Sequence, residues 1–340
     1  MSPIRFVVVG FGNIGKRHCE EIARHPDAKL VAICDIDEKK EKEAWKTYPV
    51  PFFNSLDAFL LSSFEADVIS ICTPNGFHAP LSLQALNFYT HVVCEKPMAL
   101  KPQDCQAMID LAKVVGKQIF CVMQNRYSPP SQWLKSVVEQ GVLGEIYMVK
   151  TDLFWNRDHR YYTPNGWRGT LDLDGGPLFT QFSHFVDLLY WLFGDIKDIK
   201  AQFYNFNHQT NTEFEDSGLV QFKFQQGGAG ALNYSTSCFE KNLESSITIL
   251  AEKGTVKVSG QYMDRVEHCQ VDGYTMPELR PSQPPNLYPN GYQGSASNHL
   301  QMVDNVTRSL QGQAAATATP EEGLRVVDMI DRIYSLRHKL

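Results

Sequence analysis

No run of about 18 consecutive apolar residues occurs in the chain, so its pattern offers no membrane-spanning helix. The opening MSPIRFVVVG holds an apolar run too short for a secretory signal and passes straight into a glycine-rich turn, which reads as a first strand. No CxxC pair joins any of the eight cysteines (Cys19, Cys34, Cys72, Cys94, Cys105, Cys121, Cys238, Cys269), and several lie inside apolar strand-like runs such as 68–72 and 92–94. That argues against a zinc site or a disulfide framework and for buried free thiols in a reducing cytoplasm, with no metal. A strong excess of one charge sign is missing too. The net charge of −6 leaves no general basic footprint for nucleic acid, and an anionic ligand would have to be met by local arginines or helix N-termini. Internal repeats and low-complexity tracts are also absent.

What is present is an ordinary globular composition, 43% hydrophobic and 21% charged over 340 residues, enough for two domains. From residue 4 to 122, short apolar runs (4–9, 30–34, 68–72, 91–94, 118–122) alternate with helical stretches near 14–24, 38–47, 80–87 and 103–115. Continuous apolar strands separated by helices predict an α/β, doubly wound parallel sheet over residues 1–122. After residue 123 the texture changes. A helix near 130–140, a strand near 146–155 and an amphipathic helix over 182–193 precede alternating runs at 199–206, 218–224, 230–237, 246–251 and 255–259. Period-2 alternation predicts an α+β domain over 123–340 built on a large, open, mostly antiparallel sheet, with one face exposed or used for self-association. Residues 272–294 read as a long loop, and helices follow at 298–310 and 320–337, the last free to pack back on the first domain.

Gly10-Phe11-Gly12-Asn13-Ile14-Gly15 follows a strand and opens a helix, and Asp35 ends the second strand 20 residues after Gly15. Gly10 permits a tight turn, Gly12 a close backbone approach to a pyrophosphate, and Gly15 close helix–strand packing, while Asp35 can accept from ribose hydroxyls and repel a 2′-phosphate. This predicts a Rossmann-type NAD site. Glu95-Lys96-Pro97 follows another strand and sets a lysine at the carboxyl edge of the sheet, where ligands bind in such folds. Taken alone, Lys96 reads sooner as a solvated surface residue than as a catalytic one, and His184, on a helix with Phe185, Leu188 and Leu189, sooner as a core or capping histidine.

Together with Thr73-Pro74-Asn75, His78, Gly175-Gly176-Pro177, His184 and Asp187, these motifs resemble the Gfo/Idh/MocA oxidoreductases along essentially the whole chain. The resemblance implies cofactor contacts from Gly10, Gly12, Asn13, Ile14, Gly15, Asp35, Thr73, Asn75, His78, Glu95, Lys96, Gln124, Trp167 and Arg168, with Lys96 and His184 as the catalytic pair. One departure stands out: many members carry an aspartate four residues before the histidine, where this chain has Thr180. Gln124-Asn125-Arg126-Tyr127, Phe154-Trp155, Trp167-Arg168-Gly169-Thr170, Gln181-x-x-His184 and Gly294-Ser295-Ala296-Ser297-Asn298-His299 resemble the UDP-N-acetylglucosaminuronate 3-dehydrogenases. That resemblance implies NAD-dependent oxidation of a sugar C3 hydroxyl in bacterial surface polysaccharide synthesis, by a homo-oligomer, dimer or tetramer. Substrate contacts would come from Lys96, Arg126, Tyr127, Arg157, Arg160, Tyr162, Arg168, Thr180, Gln181, His184, Asn298 and His299. Arginines suit a diphosphate and carboxylate, and Tyr161, Tyr162 and Trp167 offer faces for a ring. Against this, the arginines of this segment read as solvated loop residues, and Asn298 and His299 as a helix cap. A dehydrogenase of a free sugar or inositol, and a non-catalytic NAD-binding regulator, are the rival readings.

Overall fold

The computed structural model describes residues 2–282 and 297–337, so most of the expected loop, with Gly294-Ser295-Ala296, lies outside the described residues. The chain forms two compact units: residues up to Met123 together with His299–Val327, and Gln124–Asn298 together with the residues from Asp328 on. The second unit is therefore not one uninterrupted stretch beginning at 123.

In the first unit, strands β1 (Ile4–Val9), β2 (Ala28–Cys34), β3 (Phe52–Phe53), β4 (Val68–Ile71), β5 (His91–Cys94) and β6 (Ile119–Cys121) pair in the order β3-β2-β1-β4-β5-β6, all parallel. Helices α1 (Asn13–Arg24), α2 (Glu41–Thr47), α3 (Leu56–Leu60), α4 (His78–Asn87) and α5 (Pro102–Val115) make the crossovers. All four residues of β4 are buried, as a central strand covered on both faces requires. Strand order reverses between β1 and β4, the topological switch point at which such sheets bind ligands beyond the strands' carboxyl ends. The glycine turn, Asp35, Thr73 and Glu95-Lys96 directly follow β1, β2, β4 and β5, so topology alone brings them to one edge.

The second unit starts with α6 (Pro129–Glu139) and β7 (Ile146–Phe154), then α7 (Pro177–Thr180) and α8 (Ser183–Phe193). Strands β8 (Ile196–Tyr204), β9 (Ser217–Phe224), β10 (Ala229–Ser235), β11 (Glu244–Ala251), β12 (Gly254–Ser259) and β13 (Arg265–Val271) join β7 in the order β13-β12-β11-β7-β10-β9-β8. Only β10–β7 pairs parallel in that sheet; its other pairs are antiparallel. Along β9, Val220, Phe222 and Phe224 turn inward while Leu219, Gln221 and Lys223 face out, the period-2 signature of a sheet with one covered face. Helix α8 is less amphipathic than its sequence pattern suggests: nine of its 11 residues are buried, including His184 and Asp187. The short β3, α3 and α7 and the edge strand β13 escape the pattern reading, and β13 does so because none of its residues is buried.

Helices α9 (His299–Leu310) and α10 (Pro320–Tyr334) close the chain, and α9 packs on α1. The start of α10 is fixed by a capping box, in which Thr319 N donates to Glu322 Oε2 (2.9 Å) and Glu322 N to Thr319 Oγ1 (3.2 Å). Among the described residues, no helix is long and apolar enough to cross a membrane. All eight cysteines are free thiols, six of them buried and Cys238 and Cys269 half-buried.

Candidate active site

In the first unit the glycine turn is held by sterics. A Cβ on Gly10, at φ +95°, would meet the Cys72 carbonyl oxygen at 2.5 Å, and one on Gly15 would strike the Gly10 carbonyl oxygen at 1.7 Å. Gly12 differs, because nothing lies within 4 Å of its would-be Cβ. It is the N-cap of α1, no side chain caps the helix there, and no acidic residue stands in the first turn. The first N–H groups of α1, beginning at Asn13 and Ile14, thus present an uncapped positive dipole end beside an open cradle, suited to a pyrophosphate. Asp35 is tied to this turn: its carboxylate accepts from Phe11 N (2.6 Å) and Asp37 N (2.9 Å) and pairs with Lys40 Nζ (2.8 Å). Thr73 adds a buried hydroxyl oxygen with no hydrogen-bond partner among the described residues, the sort of orphan a bound cofactor satisfies. The groups present fit a dinucleotide.

Three further expected cofactor or substrate contacts, His78, Glu95 and His299, are buried and held by neighbours within this unit. His78 is buried, with Nδ1 2.7 Å from the Pro97 carbonyl and Nε2 2.9 Å from the Thr73 carbonyl, so its ring joins the Thr73 loop to the Lys96-Pro97 turn. Burial lowers its pKa, against the pull of both carbonyls. Glu95 is also buried; Oε1 is 2.8 Å from His18 Nε2 and 3.6 Å from His299 Nε2, and Oε2 accepts from Lys96 N (3.2 Å). Burial alone would raise this carboxyl, but the bonds and charges from His18 and His299 outweigh it and hold it well below the ordinary glutamate range. Burial lowers the pKa of His299, against the pull of the Glu95 carboxylate. Among the described residues, this trio is the only group of histidine, cysteine and acidic side chains close enough to hold a metal, its ligand atoms lying within 4.8 Å of one another. The 2.8 Å contact is a hydrogen bond, and among the described residues the buried Nδ1 atoms of both histidines have none of the outer partners that metal-bound imidazoles keep. Lys96 itself is half-buried.

In the second unit, His184 is buried on α8. Arg126, expected to face the substrate, is instead buried and forked onto Asp187: Nε lies 3.0 Å from Oδ2, and Nη2 lies 2.6 Å from Oδ1. It fixes the 124–127 turn to α8 one turn beyond His184. Tyr162 is likewise core, packed edge-on to His208 and Phe214. Arg160 is exposed and bonded to Asp158 (Nε–Oδ1 2.9 Å). Arg157 is largely buried; its Nη1 donates to the Asn156 carbonyl (2.6 Å), and its guanidinium stacks over Trp155 at 4.7 Å. Arg168 lies half-buried over the faces of Tyr161 (4.5 Å) and Trp167 (4.9 Å), and Gln181 Nε2 donates to Tyr161 Oη (3.0 Å). Arg168, Trp167, Tyr161, Gln181, Thr180 and His184 thus belong to one region of this unit. Tyr127 is half-buried beside Arg126, and buried Asn298 donates to the Gln124 carbonyl (3.2 Å), bracing that turn. Two residues were not anticipated. His18 lies on the helix opened by the glycine turn, and buried Asp174 is bonded to Thr180; their only sequence signals are nearness to the Gly10–Gly15 and Gly175-Gly176 turns.

Comparison with known proteins agrees with this layout. The model of the GFO/IDH/MocA oxidoreductase family, NAD-binding Rossmann fold, matches residues 4–123, and that of the GFO/IDH/MocA C-terminal domain matches residues 131–257. The WlbA dehydrogenase of Bordetella pertussis, solved in complex with NADH and UDP-GlcNAcA, aligns with a TM-score of 0.88 at 34% identity, covering 98% of this chain and 96% of that one. The D-glucoside 3-dehydrogenase of Escherichia coli K12 is 31% identical over 59% of this chain and 57% of its own length. The inositol 2-dehydrogenase of Salmonella typhimurium is 28% identical over 58% of this chain and 56% of its own. The matched stretch spans little more than half of these curated relatives.

Proposed function

The chain belongs to the GFO/IDH/MocA oxidoreductase family, and on that premise we propose that it oxidises the C3 hydroxyl of UDP-N-acetylglucosaminuronic acid to the 3-keto sugar nucleotide. The observation that carries this reading is the near end-to-end match to a WlbA dehydrogenase solved with NADH and UDP-GlcNAcA. NAD, when bound, supplies the hydride acceptor. The turn Gly10–Gly15 and the first N–H groups of α1 hold its pyrophosphate, Asp35 its ribose, and Thr73 and Asn75 lie alongside. Lys96 binds the C3 hydroxyl and stabilises the alkoxide as it forms; His184 takes its proton. Arg168, with Trp167 and Tyr161, receives the charged and planar parts of the substrate, Gln181 and Tyr127 its hydroxyls, and Arg157 and Arg160 lie at the edge of that surface. The protein works in the cytoplasm as a homo-oligomer, a tetramer, in the synthesis of bacterial surface polysaccharide.

NADH formation with UDP-N-acetylglucosaminuronate against UDP-N-acetylglucosamine tests the reading, with a parallel arm containing 2-oxoglutarate to reoxidise any cofactor that stays bound. Turnover confined to the uronate is the expected result; equal turnover of both, or of neither in either arm, refutes it. Oxidation of a free glycoside is the second reading, favoured by the likeness to the D-glucoside 3-dehydrogenase. Thermal-shift titration with UDP-sugars and free sugars separates the two.

A further inference from the structure

Thr180 closes α7, and its hydroxyl carries no charge, yet a carboxylate is bonded to it. Asp174 is wholly buried on the irregular segment before α7. Its Oδ1 accepts the Thr180 hydroxyl, its Oδ2 accepts Gly169 N at 2.9 Å, and its own backbone carbonyl lies 3.0 Å from the same hydroxyl. The placement is built by the chain: Asp174 N and Gly175 N both donate to the Thr170 carbonyl (3.0 and 3.1 Å), and Gly175 and Gly176, at φ +82° and +117°, then reverse the chain into α7. Beyond Thr180, Gln181 keeps helical dihedrals (−88°/−45°) and Phe182, at −110°/1°, leaves them as the N-cap of α8, so Thr180 stands four residues before His184, across the α7–α8 junction.

The groups facing Asp174 include the Thr180 hydroxyl, the N–H groups of Gly169 and Gly176, the Arg168 guanidinium and the Tyr162 side chain. A hydroxyl has one proton to donate and two lone pairs. With that proton committed to an ionised Asp174, Thr180 can only accept; once Asp174 is protonated, the hydroxyl is released to donate. The polarity of Thr180 is therefore set by the charge on Asp174.

We propose that Asp174 is a positioning residue of the active site: acting through Thr180, it makes that hydroxyl an acceptor and supplies the negative charge behind the proton-accepting His184. This rests on the assignment of His184 as base in the proposed function. Burial raises the Asp174 carboxyl to about 6, against the bonds from Thr180 and Gly169 and the charge of Arg168, so the switch falls where the enzyme would be assayed.

Two measurements test it. In the first, the His184 imidazole is titrated by NMR in the wild type and in D174N, without any sugar. Removing the charge should lower the His184 pKa by about one unit. An unchanged value overturns the proposal whichever sugar proves to be the substrate. In the second, kcat and KM are measured from pH 5 to 9 with the sugar that the wild type oxidises. D174N and T180V should each lose ~10-fold or more in kcat, with NAD affinity kept, and should lose the contribution of Asp174 near pH 6 to the acid limb, leaving only that of His184, while T180S keeps the wild-type profile. A D174N or T180V profile that overlays the wild type overturns it. If D174N does not fold, the T180V pH profile decides. Failure of the wild type to oxidise the UDP-uronate refutes the proposed substrate and leaves the His184 titration able to decide this point.

Discussion

Replacing Arg126 by methionine strands the Asp187 carboxylate in the interior of the second unit. In the native protein the two side chains are 0% and 1% exposed, joined by forked hydrogen bonds of 2.6–3.2 Å, with the guanidinium also over the Trp191 ring at 5.3 Å. A pair so desolvated repays little net stability as a pair, but losing the guanidinium takes the forked bonds and the opposite charge away from a buried carboxylate, at a cost of ~3–5 kcal/mol. For a unit of this size each kcal/mol moves the midpoint by about 2–4 °C, so R126M should melt roughly 6–20 °C below the wild type. The double variant R126M/D187L, which removes both charges, should regain most of that loss. Thermal unfolding followed by far-UV circular dichroism with bound cofactor absent measures it. An R126M midpoint within about 2 °C of the wild type, combined with a large rise in KM for the sugar nucleotide, would refute the structural role and return Arg126 to the substrate.

Three further outcomes follow from the geometry. Gly12→Ala should fold with a native midpoint yet weaken NAD binding ~10-fold or more in calorimetric titration, whereas Gly15→Ala, whose Cβ would strike the Gly10 carbonyl oxygen, should lose both stability and binding; equal behaviour of the two would contradict the assignment of Gly12 to the phosphate cradle. Lys96→Met and His184→Asn should each cut turnover ~100-fold or more and leave NAD affinity nearly unchanged, and near-normal turnover in either would remove that residue from the chemistry. Glu95, held below its ordinary pKa by His18 and His299, contributes stability that is present above the usual glutamate range and is lost as pH falls through its lowered value. Glu95→Gln should therefore melt below the wild type at pH 7 and show a shallower fall in midpoint on acidification; superimposable melting curves from pH 3 to 7 would sink this account.

Local pattern carries a good part of this protein. The apolar runs of β1, β2, β4, β5 and β6, the glycine turn with Asp35 at the end of the second strand, and the alternation along β9 are all readable because each depends on neighbours within a few residues. Edge strand β13 and four-residue α7 are not, since neither is long or apolar enough to impose a period. What only the tertiary structure decided is the fate of the charged residues. Arg126 and Arg168 look alike in a sequence; one is buried against Asp187, 61 positions away, and the other stacks on Tyr161 and Trp167. Glu95 meets His18 across 77 positions and then His299 on a helix from the far end of the chain, and Asp174 is brought to Thr180 by the turn at Gly175-Gly176. A carboxylate or guanidinium takes its role from the dielectric and the partners around it, and those exist only once distant segments have closed over it.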